Sequence, residues 1–423
     1  MKKLTLATIT LMSIMLTSCF KDDDTPIIIE ETTIIQDGGS GGTIDTCPTI
    51  SITGAITTDT HWTNDNIYVL NQKVVVDNGA TLTIDPGTII KGSPGTGSLA
   101  SALIIARGSK INAVGTPSQP IIFTSSTDNI TCGELAGDNL DENDRGLWGG
   151  VLLMGYAPCS FSGDIEVAQI EGIPADDAFG LYGGTDPNDN SGVMQYVSIR
   201  HGGALIGEGN EINGLTLGGV GSETVISNIE VVANVDDGIE FFGGNVNASN
   251  LLVWAQGDDG LDIDQAYSGT INNAVVILGD SSDHALEIDG PEGSLTGAFT
   301  LQNVTIVGNT TTADGEYADY RSNAMGATNN LFAYGFKSES DVELDNDGVA
   351  TNYNNGLLTF SNWQIILPEG VTNVEDIFVN NAENVEVTGL GTEATAVTEG
   401  TQTVGADLSD FDWTFANASG ALE

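Results

Sequence analysis

The stretch DDGLDIDQA at residues 258–266 sets four aspartates, Asp258, Asp259, Asp262 and Asp264, into what otherwise reads as a β-strand. Its outline recurs in NGLTLGG (213–219), DGIEFFGG (237–244) and HALEIDGP (284–291). With Gly214, Gly238, Gly260 and Ala285 taken as equivalent, successive repeats lie 24, 22 and 25 residues apart. A period in the low twenties, with short strands between turns, marks a solenoid, because one repeat cannot bury its own apolar face and must stack on the next. Propeller blades repeat at about 40 residues and sandwiches do not repeat. Coils of about 22 residues without a strict hexapeptide therefore predict an all-β chain, a single-stranded right-handed parallel β-helix. An earlier echo, ATLTIDPGTIIKG (80–92) and SALIIARGSKINAVG (101–115), aligns Leu82 with Leu103 and Ile89 with Ile111.

Alternate residues of a strand face opposite sides. Ile239 and Phe241, Leu261 and Ile263, Leu286 and Ile288, and Val342 and Leu344 supply the interior. Their outward partners form columns when coils stack: Glu240, Asp262 and Glu287; then Phe242, Asp264 and Asp289, with Glu343 and Asp345 further on. The preceding turns add Asp236, Asp258 and Asp283 beside Asp237, Asp259 and His284. Two like charges one coil apart, about 4.8 Å, repel by roughly 3.5 kcal/mol at an effective dielectric of about 20. Such a grid is relieved by raised carboxyl pKa values or by cations, or it is a screened, solvated face that only confers solubility. Among cations, calcium fits best, since it accepts six to eight carboxylate and carbonyl oxygens in irregular geometry. Zinc lacks its usual nitrogen and sulfur ligands, His284 being isolated. The expected metal ligands are thus Asp236, Asp237, Glu240, Asp258, Asp259, Asp262, Asp283 and Glu287. Phe242 with Asp264 and Asp289 is the expected ligand-binding column, an aromatic face beside carboxylates that can stack a sugar ring, or else Phe242 is a buried ladder residue under a loop. Asp186, Asn188, Asp189 and Asn190 in TDPNDNSG (185–192) offer further oxygens, or simply an Asx-turn loop.

Eleven Lys and Arg against 59 Asp and Glu leave a net charge of −48, and beyond Gly146 the only basic residues besides histidine are Arg200, Arg321 and Lys337. Nucleic acid is excluded as a partner; cations and uncharged ligands are the natural complement. Two polar stretches, 126–147 and 176–191, read as loops leaving the coils. The tail LSDFDWTFANASGALE (408–423) alternates Phe411, Trp413 and Phe415 and is expected to cover the open edge of the last coil.

Lys2 and Lys3, an apolar run from Leu4 to Leu16, and then Leu16-Thr17-Ser18-Cys19 read as a secretion signal ending in a sequence that resembles the lipobox of bacterial lipoproteins. The resemblance implies cleavage before Cys19 and acylation of it, each buried methylene contributing about 0.8 kcal/mol of membrane anchoring. Lys21 with Asp22, Asp23 and Asp24 resembles the export signal of surface lipoproteins in the Bacteroidota, implying an outer-membrane lipoprotein that faces the exterior. The expected division is a signal peptide over 1–18, a lipidated cysteine and flexible tether over 19–46, the β-helix over 47–385, and a C-terminal tail or cap over 386–423. The tether can reach on the order of 90 Å. Three cysteines remain in an oxidising compartment, so at most one pair closes. Cys132 with Cys159 is the expected pair because both flank one excursion.

Asn234 with Asp236, Asp258 with Asp259, and His284 fall in the order of the motifs of the polygalacturonases, β-helical glycoside hydrolases. That resemblance implies Asp236, Asp258, Asp259 and His284 as catalytic residues, although Asp283 and Ala285 flank His284 where the family has glycines, and Arg321 is the only later arginine. Pectate lyases, which hold calcium on β-helix carboxylates, are the other enzyme comparison, and Arg200 with His201 is a candidate basic pair for such chemistry. Both comparisons imply a pectin-lyase-like helix. Over residues 50–345 the chain resembles β-helical surface lipoproteins of the Bacteroidota, through GTIIKG, RGLWGG, DDGIEFFGG, WAQGDDGLDIDQA and EIDGPEG. This implies a surface binding or adhesion module for calcium and a glycan, or for another surface protein, with polysaccharide cleavage as the alternative.

Overall fold

The computed structural model describes residues 47–422 except 174–176 and 206–210. Cys19, the signal segment and the whole tether lie outside the described residues, as does Asp176 of the second excursion. All but two of the described strands form one large sheet whose pairings are parallel, coil upon coil: a parallel β-helix; Ala168–Gln169 and Leu181–Tyr182 make a separate antiparallel pair.

One coil shows the construction. Strand Val225–Val232 bends at Asn228, whose φ is 53°, so one continuous run covers two sides of the coil. A turn through Asn234 leads to strand Ile239–Phe242, and a second turn starts the next coil at Asn247. Residues pair one for one across coils, Val225 with Asn247 and Ile239 with Leu261. The corner recurs at Asn250, Asn273, Asn303, Asn330 and Asn362, all with φ between 55° and 63° except Asn330 at 54°. Asparagine enters this left-handed region more readily than other residues with a side chain. Its amide then donates to the coil before: Asn250 to Asn228 at 3.0 Å, Asn273 to Asn250 at 2.9 Å, and Asn330 to Asn303 at 3.0 Å. The repeat glycine has a steric cause, since a Cβ on Gly238 would lie 2.3 Å from Val253 and 2.7 Å from the carbonyl oxygen of Gly260.

The interior is the expected one, with Ile239, Phe241, Leu261, Ile263, Leu286, Ile288, Val342 and Leu344 all buried in a single apolar core. In the first coils the register differs from the sequence alignment. Leu82 pairs with Ile111, and Leu103 with Val74, because strands Thr81–Ile84 and Ala102–Ile105 lie on different sides of the coil.

The tail does not cover the last coil. Phe411 and Ala416 pack on Val232, Leu252, Trp254, Val275 and Ile277 along the side of the helix. Those outward residues are apolar and need a cover that the acidic strands do not. The C-terminal end is closed instead by Leu367, Val371, Val374, Val387 and Leu390, together with Val349 of helix Asp347–Asn354.

The disulfide also differs from the expected pair: Cys47 is bonded to Cys132, with Cα atoms 5.8 Å apart. Cys159 is buried elsewhere, its thiol donating to the Phe242 carbonyl at 3.3 Å. Proximity along the chain misled here, because the 126–147 excursion folds back toward the first coil, where Lys91 donates to the carbonyl oxygens of Asp128 and Ile130. Cys47→Ala and Cys132→Ala should each cost the same, about 2–5 kcal/mol in chemical denaturation. Burial pushes the Cys159 thiol up to about 12, so in a variant lacking Cys19 one thiol should react with an aromatic disulfide reagent only after unfolding.

Candidate functional site

Parallel register builds the acidic face. Glu240 lies opposite Asp262, Asp262 opposite Glu287, Glu287 opposite Asp319, and Asp319 opposite Glu343. The column therefore continues through Asp319, which the sequence reading passed over because a 32-residue step from Glu287 broke the period. The turn column runs from Asp237 through Asp259 to His284, and His284 pairs with Glu316.

The face is largely packed: Asp237, Glu240, Asp259 and Glu287 are each 7% exposed or less, whereas Asp236 and Asp262 are half-buried and Asp258 is exposed. Side chains lock successive coils together. Asp237 Oδ1 accepts the backbone N–H of Asp259 at 3.0 Å, and Asp259 Oδ1 accepts that of His284 at 2.8 Å. From above, the amide of Asn213 donates to Glu240 and, at 3.4 Å, to Glu171 of the segment that follows Met154.

Countercharge is distributed unevenly. His284 Nδ1 lies 2.8 Å from Asp259, 3.8 Å from Asp283 and 3.9 Å from Glu287. Arg321 contacts Glu287, reaches Asp289 at 2.5 Å and Asp319 at 3.9 Å. Asp236, Asp237, Glu240, Asp258 and Asp262 have no such ion pair among the described residues. They form two overlapping groups, Asp236 with Asp237 and Asp258, and Asp237 with Glu240 and Asp262, whose oxygens lie within 4.8 Å of one another. In addition, Asp262 Oδ1 is buried with no hydrogen-bond partner. Asp259, His284 and Glu287 form a third group, and Glu316, Asp341 and Glu343 a fourth.

Burial, then the charges of Glu171 and Asp258, push the Asp236 carboxyl up to about 7. Burial and Asp259 raise Asp258 to about 6; burial and Asp289 raise Asp264 to about 7. Asp237, Glu240 and Asp262 are raised as well, by burial first and each other's charge second, with Asp264 the leading neighbour of Asp262. Burial pulls the His284 imidazolium down, but its hydrogen bond to Asp259 and the surrounding carboxylates lift it to about 9.

Several expected site residues serve other ends. Phe242 is 5% exposed, beneath Tyr182 at 5.9 Å, which in turn meets Phe161 at 5.1 Å. The excursion after Met154 covers it, so no sugar can stack there. Asp264 and Asp289 remain partly exposed, yet Asp289 is held by Arg321. Asn234 is fully buried, donating to the carbonyls of Ile212 at 3.0 Å and Asp237 at 2.9 Å, and so shapes the turn. Arg200 is buried on another side of the coil, on Ser198, the Leu135 carbonyl and Glu230, with its guanidinium 4.5 Å from the Phe415 ring centre. His201 is buried too, its Nδ1 at 2.8 Å from the Asp144 carbonyl. In the 185–192 loop, Asp186 and Asn190 each accept a backbone N–H two residues on, the Asx-turn arrangement.

A family model for the pectate-lyase-like β-helix domain matches residues 54–416. The chain belongs to that family. No curated protein and no solved structure matches it. The fold is shared by binding modules and by enzymes that cleave polysaccharides, so family membership leaves both activities open and the acidic face must be argued from its own geometry.

A carboxyl whose pKa is higher folded than unfolded binds more protons in the folded state, so its effect on stability worsens as pH rises. For Asp236 and Asp264 that window runs from 3.8 to about 7. The contribution of His284 is complete below 6.5 and is lost as pH rises through about 9. Both effects have one sign: metal-free protein in chelator should melt several degrees lower at pH 8 than at pH 5 by scanning fluorimetry, and the reverse slope would contradict the buried-acid reading.

Proposed function

We propose that the protein is a β-helical binding module that holds calcium on its acidic face through Asp236, Asp237, Glu240, Asp258 and Asp262. The carrying observation is that these five carboxylates crowd together with no ion pair to a basic side chain among the described residues, while Asp262 Oδ1 is buried without a hydrogen-bond partner. Two oxygens on one calcium, each about 2.4 Å from it, lie at most about 4.8 Å apart. Both groups meet that limit. The ion relieves repulsion between groups that otherwise keep protons, and the turn carbonyls and water complete its shell.

The module is anchored in the outer membrane through acylated Cys19 and faces the exterior, where its partner is a glycan or another surface protein. Support comes from the lipobox-like LTSC and from KDDD after it. Expression in a lipoprotein-processing host should give palmitate labelling that Cys19→Ser abolishes.

Polysaccharide cleavage is the second reading, favoured by Asp236 and Asp258, which titrate at about 7 and 6 and can trade protons near neutrality. Against an inverting mechanism, their oxygens lie within 4.8 Å of each other, short of the roughly 6.5–9.5 Å that such a glycosidase keeps between its carboxyls. Arg321 is also occupied by carboxylates of the protein itself.

Calorimetric titration of chelator-treated protein tests the cation. Calcium should bind and raise the melting temperature at pH 8. Asp262→Asn, which removes a buried charge without changing shape, should raise the metal-free melting temperature and weaken calcium at least tenfold. Wild-type melting unmoved by millimolar calcium would sink the proposal, whereas reducing ends released from a polysaccharide by wild type but not by Asp258→Asn would favour the enzyme.

A further inference from the structure

The outward face of the side that follows each asparagine corner is apolar for several coils, then changes character. Register carries Leu252 onto Val275, Val275 onto Thr305, Thr305 onto Phe332, and Phe332 onto Gln364. Phe411 and Ala416 seal the first part of this face. Further on, the tail is pinned at two places. Thr403 exchanges hydrogen bonds with Gln364 at 3.0 and 2.7 Å, and Thr305 Oγ1 accepts the N–H of Ala406 at 2.9 Å.

Around these pins the tail stands off the sheet and leaves a cavity of about 530 Å3. Its floor is the half-buried ring of Tyr334, packed against the buried ring of Phe332 with ring centres 5.2 Å apart and planes inclined by 29°. Gln402, Leu408 and Glu399 form its rim, and Ile366 and Glu399 are shared with a neighbouring cavity of about 610 Å3, so the hollow continues as a groove. Glu399 and Gln402 are exposed and make no hydrogen bond with the other described residues. Burial and the Glu399 charge both raise the Tyr334 hydroxyl, which places that carboxylate near the aromatic floor.

We propose that this groove binds a neutral oligosaccharide. A sugar ring has an apolar C–H face, which an aromatic floor accepts, and a rim of hydroxyls, which an amide and a carboxylate can engage. The volume falls within the roughly 300–1,000 Å3 of small-molecule sites, and the connected second cavity suits a chain of rings. Charge selects against acidic sugars, because the protein carries −48 and the groove's one ionic group is Glu399. The site lies outside the carboxylate columns and stands apart from the cation proposal; half-buried Tyr334 supplies an aromatic face that Phe242, covered by Tyr182, does not.

The test is calorimetric titration of the full mature chain with cellotetraose, maltotetraose, mannotetraose and chitotetraose, with tetragalacturonate as the acidic control. At least one neutral chain should bind, the acidic one should not, and binding should persist in chelator and in Asp262→Asn. Gln402→Ala, on an exposed position, should leave melting unchanged and weaken that binding at least fivefold, and Tyr334→Ala should weaken it at least tenfold. Failure of all four neutral chains, binding that is indifferent to both substitutions, or binding of free indole in their place overturns the proposal.

Discussion

In-register parallel stacking is the constraint on which this molecule depends. Each backbone ladder sets a residue directly above its counterpart one coil away, at the spacing of adjacent strands. Like side chains therefore meet like. For Ile239, Leu261 and Leu286 the result is a continuous apolar core. For Asn228, Asn250 and Asn273 it is a chain of amides, each donor facing the acceptor below. For Glu240, Asp262 and Glu287 the same stacking brings charges of one sign together, where pairing that stabilises the fold also concentrates repulsion.

The acidic face answers that repulsion differently along its length. Toward the C-terminal coils His284 and Arg321 sit among the carboxylates as built-in cations. Toward the N-terminal coils no such residue forms an ion pair with Asp236, Asp237, Glu240, Asp258 or Asp262 among the described residues, and burial with mutual repulsion raises their carboxyl pKa values. Breaking a fully buried charge pair is costly because it leaves one ion unpaired. A column that starts unpaired has the opposite character: it is poised to accept positive charge from outside. That contrast within one continuous surface separates a structural ion-pair network from a candidate binding site.

Much of this was legible in the residues. The spacing of Gly214, Gly238 and Gly260 gives the coil, and strand parity gives inside and outside. Parity says only which way a side chain leaves the backbone, however, and Phe242 and Glu240 leave outward into loops that cover them. The 155–191 excursion supplies that cover, and nothing in its composition tells where it folds. Asp319 was missed because its coil is long, though continuing the parity of Glu287 through EYADY would have found it. The asparagine corners were present as Asn228, Asn250, Asn273, Asn303, Asn330 and Asn362, each followed by an apolar residue, a repeat masked by the longer acidic motif.

What the sequence by itself determined is everything that follows from period and alternation: a stacked all-β coil, its apolar lining, and the alignment of acids on one face. These are local properties, set by residues a fixed number of steps apart. Tertiary structure alone decided the contacts made by segments that leave the coils: Cys47 meeting Cys132, Tyr182 closing over Phe242, and Phe411 lying on Trp254 and Ile277. It also decided that Arg321 and His284 would neutralise one half of the acidic face and not the other. Those outcomes depend on where flexible connections come to rest, and a connection's path is chosen by the apolar surface and charge it meets on the finished helix, not by its own pattern.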